Sequence, residues 1–185
     1  MKVSREQFAE NREKILDAAG RLFREHGFER VTVAEVMKAA GLTHGGFYGH
    51  FKSKDDLIAQ TLARSNEDTS ALNLVDYAHR YLSRQHCDDK AGGCTIAGLG
   101  PEALHQSPEA RAAVTRRVKA QIDKLALGSP GTTDAERRRA AIGGWAAMVG
   151  ALLLARVTDD AELGDEVLAQ TRAWIAEKNR GNVPD

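Results

Sequence analysis

Residues 41–54 read Gly-Leu-Thr-His-Gly-Gly-Phe-Tyr-Gly-His-Phe-Lys-Ser-Lys. The groups in this stretch are suited to binding rather than to bond-making. Thr43 and Tyr48 carry hydroxyls, His44 and His50 imidazoles, and Lys52 and Lys54 ammonium groups. All of these can donate to phosphate oxygens. Gly45, Gly46 and Gly49 remove side-chain bulk, so a backbone can come close to a partner. Each glycine costs a helix about 1 kcal/mol against alanine, so helical stability is not what the segment favours. Between Glu35 and Asp55 there is no acidic residue, and Lys38 adds a further positive charge. The chain as a whole is neutral, with 26 basic and 26 acidic residues. Affinity for a polyanion therefore has to be local.

Such groups need a rigid carrier, and the flanking sequence supplies helices. Ser4 to Gln7, Thr32 to Glu35, Ser53 to Asp56 and Thr133 to Glu136 each place a hydroxyl three residues before an acid or amide. That spacing lets two side chains satisfy the free N–H groups of a helix start. Ser107-Pro108-Glu109 puts proline where a helix does not need its N–H. The first helix is expected from Arg5 to His26, with Gly27 as its stop and Phe8, Ile15, Leu16, Ala19, Leu22 and Phe23 on one face. A second is expected over Val33–Ala40, ended by Gly41, and a third from Thr43 to about His50. Phe47 and Phe51, four apart, anchor the third helix inward and leave His44, Gly45 and Tyr48 outside. This is the arrangement of a helix-turn-helix, whose second helix enters the major groove while the first crosses the backbone.

The ensemble Ile15-Leu-Asp-Ala-Ala, Leu22-Phe23, Gly27-Phe28, Thr32-Val33, Val36, Ala40-Gly41-Leu42 and Phe47-Tyr48-x-His50-Phe51-x-Ser53-Lys54-x-x-Leu57 resembles the DNA-reading domain of the TetR family of transcriptional regulators. The resemblance covers about residues 10–57. It implies backbone contacts to DNA from Thr32, Thr43, Tyr48, His50 and Lys54, with His44, Gly45 and Gly46 over the bases. It also implies an all-α chain with a helix-turn-helix domain over 1–53 and a helical ligand-binding and dimerisation domain over 54–185.

The second half reads as helices at about Cys94–His105, Pro108–Leu127, Asp134–Val157 and Glu162–Lys178. Residues 55–84 are one helix or two, with Ser65–Ser70 as the weak point, and Cys87–Gly93 is a loop. Leu163, Val167, Leu168, Thr171, Trp174 and Ile175 follow helical spacing, while Gly143, Gly144, Ala147, Gly150 and Ala151 make the preceding helix small-sided. The expected homodimer contact uses Gly143, Ala147, Gly150, Leu163, Val167, Thr171 and Trp174; the alternative for each is an ordinary core position. Candidates for lining an effector pocket are Tyr77, Tyr81, Ile96, Leu99, Leu104, Val118, Ile122, Trp145, Met148 and Leu152, again with core as the alternative.

Cys94, in a glycine-bounded stretch at an expected helix start, feels the positive end of the helix dipole, and Lys90 and His86 lie near it in sequence. The stretch resembles one in TetR-type regulators that respond to electrophiles or oxidants, of the N-ethylmaleimide-reductase repressor kind. That resemblance implies sensor thiols at Cys94 and Cys87; the alternative is a small buried hydrophobe. His86, Cys87 and Cys94 match no zinc spacing, so no metal and no cofactor are expected. No serine elbow, phosphate loop or His-Glu metal signature speaks for an enzyme. A non-specific architectural DNA protein would carry a basic excess that this chain lacks.

With 42% hydrophobic and 28% charged residues the composition is that of a soluble globular protein. The N-terminal Met-Lys-Val-Ser leads into charged residues without the apolar core of a signal peptide. The longest uncharged run, between Arg139 and Arg156, is short for a membrane span. Two cysteines fit a reducing cytoplasm. The expected function is a cytoplasmic, ligand-responsive regulator, a repressor released by a small molecule, whose partners are a palindromic double-stranded operator, that small molecule and a second copy of itself.

Overall fold

Local capping decides where most elements begin. In the computed structural model, which describes residues 4–64 and 73–180, the Ser4 Oγ accepts the Gln7 N–H at 3.0 Å and opens α1, Arg5–His26. Gly27, at φ 83°, closes it by donating its N–H to the Phe23 carbonyl. Thr32 and Glu35 form a reciprocal box that opens α2, Val33–Ala39. Gly41 turns the chain at φ 72°. A 3₁₀ turn over His44–Gly46 then leads into α3, Phe47–His50. Ser53 caps α4, Lys54–Ala63. The later helices are α5, Leu74–Tyr81; α6, Arg84–Asp88; α7, Thr95–Ala103; α8, Pro108–Leu127; α9, Asp134–Val157; and α10, Ala161–Arg180. Among the described residues there is no strand, so the chain is all-α.

The chain divides into two compact units, Met1–Ser65 with Gly98–Arg117, and Asn66–Ala97 with Val118–Asp185. This division differs from a boundary at 53/54, because Leu57, Ile58 and Leu62 of α4 pack into the same core as Ile15, Phe23, Phe47 and Phe51. Leu99, Ala103, Ala110 and Ala113 complete that core. Arg64, just beyond α4, pairs with Asp17 at 2.7 Å and Glu13 at 3.0 Å on α1. These exposed pairs fix the seating of α4 more than they add to stability.

The second core gathers Leu74, Tyr77, Tyr81 and Leu82 with Trp145, Met148 and Leu152 of α9 and Leu168 and Ile175 of α10. Gly144 lets α5 approach α9: a Cβ there would stand 2.8 Å from Leu74 Cδ2. Arg172 Nη1 donates to the Leu82 carbonyl at 2.7 Å, tying α10 to the end of α5. Among the described residues α9 alone is long and apolar enough to cross a membrane by length and composition; here its buried face, with Trp145, Met148 and Leu152, lies in this core.

Several sequence expectations need correction. Cys87 is not in a loop but inside α6, whose first turn is capped by the Ser83 hydroxyl. The reading helix starts as a 3₁₀ turn, consistent with its paired glycines. Phe8 is not an inward residue; it is 41% exposed. The expected weak point Ser65–Ser70 lies outside the described residues. On α10 the apolar residues split between two faces, Leu168 and Ile175 inward and Leu163 and Trp174 outward.

Candidate nucleic-acid interface

The reading segment is held from beneath by two rings. Phe47 is fully buried and stacks on Phe51 at 5.7 Å between centroids. Arg12 of α1 lies over the Phe51 ring at 5.4 Å and bonds to Gln60 of α4, so one guanidinium clasps three elements. With Phe47 inward, the neighbouring Tyr48 points out and is 70% exposed. Thr43, His44, Gly45 and Gly46 are exposed as well. Thr43 makes no side-chain cap bond, so its hydroxyl is not consumed by the turn it precedes. A Cβ at Gly45 would meet nothing within 4 Å, and one at Gly46 only the Met37 terminal methyl at 3.7 Å. Packing within the chain therefore does not require these glycines.

His50 is half-buried. Its ring stacks on Phe8 at 4.1 Å, and its Nδ1 is buried without a hydrogen-bond partner. Burial, and then the charge of Arg12, push its pKa down. The neutral ring with its proton on Nε2 leaves only a lone pair at the buried nitrogen, the lesser cost. Phe8 was the missed partner; nothing in its spacing distinguishes a support for His50 from a core residue.

Thr32 is already engaged. Its N–H and its hydroxyl both donate to Glu35 Oε2 at 2.8 Å, and these bonds hold the Glu35 carboxyl below its usual pKa. A phosphate reaching Thr32 has to displace that carboxylate. Lys54 opens α4, where the Lys52 N–H donates to Asp56 at 2.9 Å. Burial raises the Asp56 pKa, but bonds from Gln60 and the Lys52 N–H outweigh it and the net shift is downward. Thr43, His44, Gly45, Gly46 and Tyr48 are thus all exposed, while His50 and Lys54 are half-buried.

Residues 15–61 match the model of the bacterial regulatory proteins of the tetR family. This stretch is similar to that family's N-terminal domain. Over this region the chain is 38% identical, across 71 residues, to the HTH-type transcriptional regulator AcrR of Shigella flexneri, covering 38% of this chain and 33% of AcrR. It is also 38% identical, across 74 residues, to the HTH-type transcriptional repressor Rv1474c of Mycobacterium tuberculosis, covering 40% of this chain and 38% of that protein. The chain thus matches only about a third of the length of these curated relatives. They are transcriptional regulators rather than enzymes. Beyond this stretch the likeness is one of fold. The reduced form of NemR from E. coli superposes with a TM-score of 0.70 at 21% identity, over 90% of this chain and 95% of NemR. A TetR-family regulator from Cytophaga hutchinsonii gives 0.70 at 18% identity, over 96% and 98%.

The second unit holds a cavity of about 340 Å³ whose wall includes Tyr77, Tyr81, His86 and Cys94. The Tyr77 and Tyr81 rings lie 5.6 Å apart, and His86 stands edge-on to Tyr81 at 4.7 Å. The Cys94 N–H donates to His86 Nε2 at 3.1 Å, which makes that nitrogen an acceptor and places the ring proton on Nδ1, 2.5 Å from the Tyr81 carbonyl. Both cysteines are buried, but only Cys94 lines this cavity. Of the other expected pocket residues, Trp145, Met148 and Leu152 are core, with Ile96, Val118 and Ile122 packed against it. Leu99 belongs to the other unit's core, and Leu104 is 66% exposed. Local spacing does not say which of two cores an apolar residue joins.

The outward face of α9 and α10 carries an apolar groove lined by Ala147, Gly150, Leu154, Val167, Thr171 and Trp174. Leu163 and Gly143 are exposed outside it.

Proposed function

We propose that the chain is a ligand-responsive transcriptional regulator, a repressor in its simplest form, that binds a palindromic operator as a homodimer and is released by a small molecule. The observation that carries this reading is the exposure of Thr43, His44, Gly45, Gly46 and Tyr48, in a run of sequence without an acidic residue, within the stretch similar to the tetR family and bare at Gly45 for no reason internal to the fold. Phosphate contacts from Thr43, Tyr48, His50 and Lys54 supply affinity, and His44 with the glycine backbone meets the base edges. Thr32 joins only if Glu35 yields. The apolar groove on α9 and α10 receives the same face of a second copy. Two reading helices then address half-sites about 34–36 Å apart or a multiple of that. The cavity beside Tyr77 and Tyr81 takes the effector, and its occupant acts by favouring a state in which the two reading helices no longer fit. Such a regulator works in the cytoplasm and performs no catalysis. A gel-shift titration is expected to saturate at two chains per operator duplex; one chain saturating it overturns the proposal.

A second reading of the trigger rests on Cys94, a residue that lines the cavity wall one position before α7. In that reading, reaction at its sulfur, by an electrophile or an oxidant, releases the DNA. Cys94→Ser is then expected to keep operator affinity within about twofold while losing release by a quinone. Unchanged release in the variant removes the thiol reading and leaves reversible binding as the trigger.

A further inference from the structure

The turn between α1 and α2 sets where the helix-turn-helix begins, and a residue far along the chain holds it. Glu102, near the end of α7, accepts the Phe28 N–H on Oε2 at 2.7 Å. The preceding residue is Gly27, at φ 83°, where a Cβ would stand 2.7 Å from Glu102 Oε1. The carboxylate therefore lies flush against the backbone of the turn, where glycine supplies the positive φ and leaves room for this approach. Phe28 is 1% exposed, its ring edge-on to Phe23 at 5.2 Å, so the turn is anchored to the core by its side chain and to α7 by its amide. The Phe28 N–H falls between α1 and α2, beyond the capping bond of Gly27. Without Glu102 it is a donor with nothing to meet.

Helix α7 is poorly self-supporting. It contains Gly98, Gly100 and Pro101, and the proline offers no N–H to the turn before it. It begins one residue after Cys94, which lines the cavity of the second unit. The same short helix thus starts next to a cavity-wall residue and carries, near its other end, the carboxylate that holds the α1–α2 turn.

We infer that Glu102 is a positioning residue of the DNA reader, fixing the turn from which the helix-turn-helix starts and tying it to the placement of α7. The inference rests on the DNA-binding reading above. The test uses the full chain, a duplex enriched from a random pool, and the variants Glu102→Ala and Glu102→Gln. Amide hydrogen exchange at Phe28 and the ratio of affinities for the enriched and a random duplex are measured. Loss of a hydrogen bond to a charged group predicts exchange at Phe28 about tenfold faster in Glu102→Ala, with the affinity ratio down about tenfold. The fraction of chains active on random DNA stays as in the parent, which partial unfolding would not allow. Glu102→Gln keeps a carbonyl oxygen for the Phe28 N–H and is expected to restore both readouts to within about threefold. Parent-like exchange or an unchanged ratio in Glu102→Ala overturns the inference, as does glutamine failing as badly as alanine. Failure of the underlying reading shows separately, as no duplex enriched by the parent chain.

Discussion

Replacing Gly150 by glutamate is expected to give a folded chain that stays monomeric and loses at least about a hundredfold in operator affinity. A Cβ at Gly150 meets nothing within 4 Å, so the single chain has room for the new side chain. Glutamate is also the better helix former, so the melting temperature is expected to equal or exceed that of the parent. A second copy changes the situation. Gly150 sits in the groove formed with Ala147, Leu154, Val167, Thr171 and Trp174, and a carboxylate buried there against another helix pair has no partner. Burial of an unpaired charge costs several kcal/mol, enough to prevent association. Operator affinity then falls because each reading helix binds alone, without the gain of a linked second half-site. Sedimentation velocity and fluorescence anisotropy on the same preparation check both halves. A Gly150→Glu dimer with parent-like affinity places the interface elsewhere.

Adjacent residues in the reading helix are expected to separate folding from binding. Phe47→Ala empties a fully buried position stacked on Phe51, at a cost of about 3–5 kcal/mol. That is comparable with the whole stability of a small domain, so the first unit is expected to melt far earlier and to lose operator binding altogether. Tyr48, 70% exposed, has little to lose on truncation. Tyr48→Ala is expected to melt within a few degrees of the parent and to bind the operator about tenfold more weakly, from the loss of a phosphate contact and a flat ring. Thermal unfolding followed by circular dichroism, together with anisotropy, reads both. Equal destabilisation by the two variants, or parent-like affinity in Tyr48→Ala, contradicts the placement of this helix at the interface.

These contrasts show what the linear sequence carries. The bounds of α1, α8 and α9 agree with those expected from Ser4 and Gly27, from Ser107-Pro108 and from the Thr133–Glu136 box. Capping is chemistry between near neighbours, so it is visible in order along the chain. The outward position of His44, Gly45 and Tyr48 was legible for the same reason, since Phe47 and Phe51 fix which side of one short helix faces in. Long-range choices were not legible. Phe8 supports His50 instead of filling the core, Leu99 joins one core and Tyr77 the other, and α10 divides its apolar residues between two faces. Glu102 reaches the amide of Phe28 across 74 positions. Each of these depends on which helices meet, and periodicity within one helix does not encode that.

Selecting bound duplexes from a random pool with the full chain decides whether residues 43–54 read a defined DNA sequence as half of a pair. Enrichment of an inverted repeat is expected, with half-site centres about 10–10.5 base pairs apart or a multiple of that. The enrichment is expected to vanish in the Gly150→Glu variant. A pool that stays random, or that converges on a single unpaired half-site bound equally by parent and variant, contradicts it.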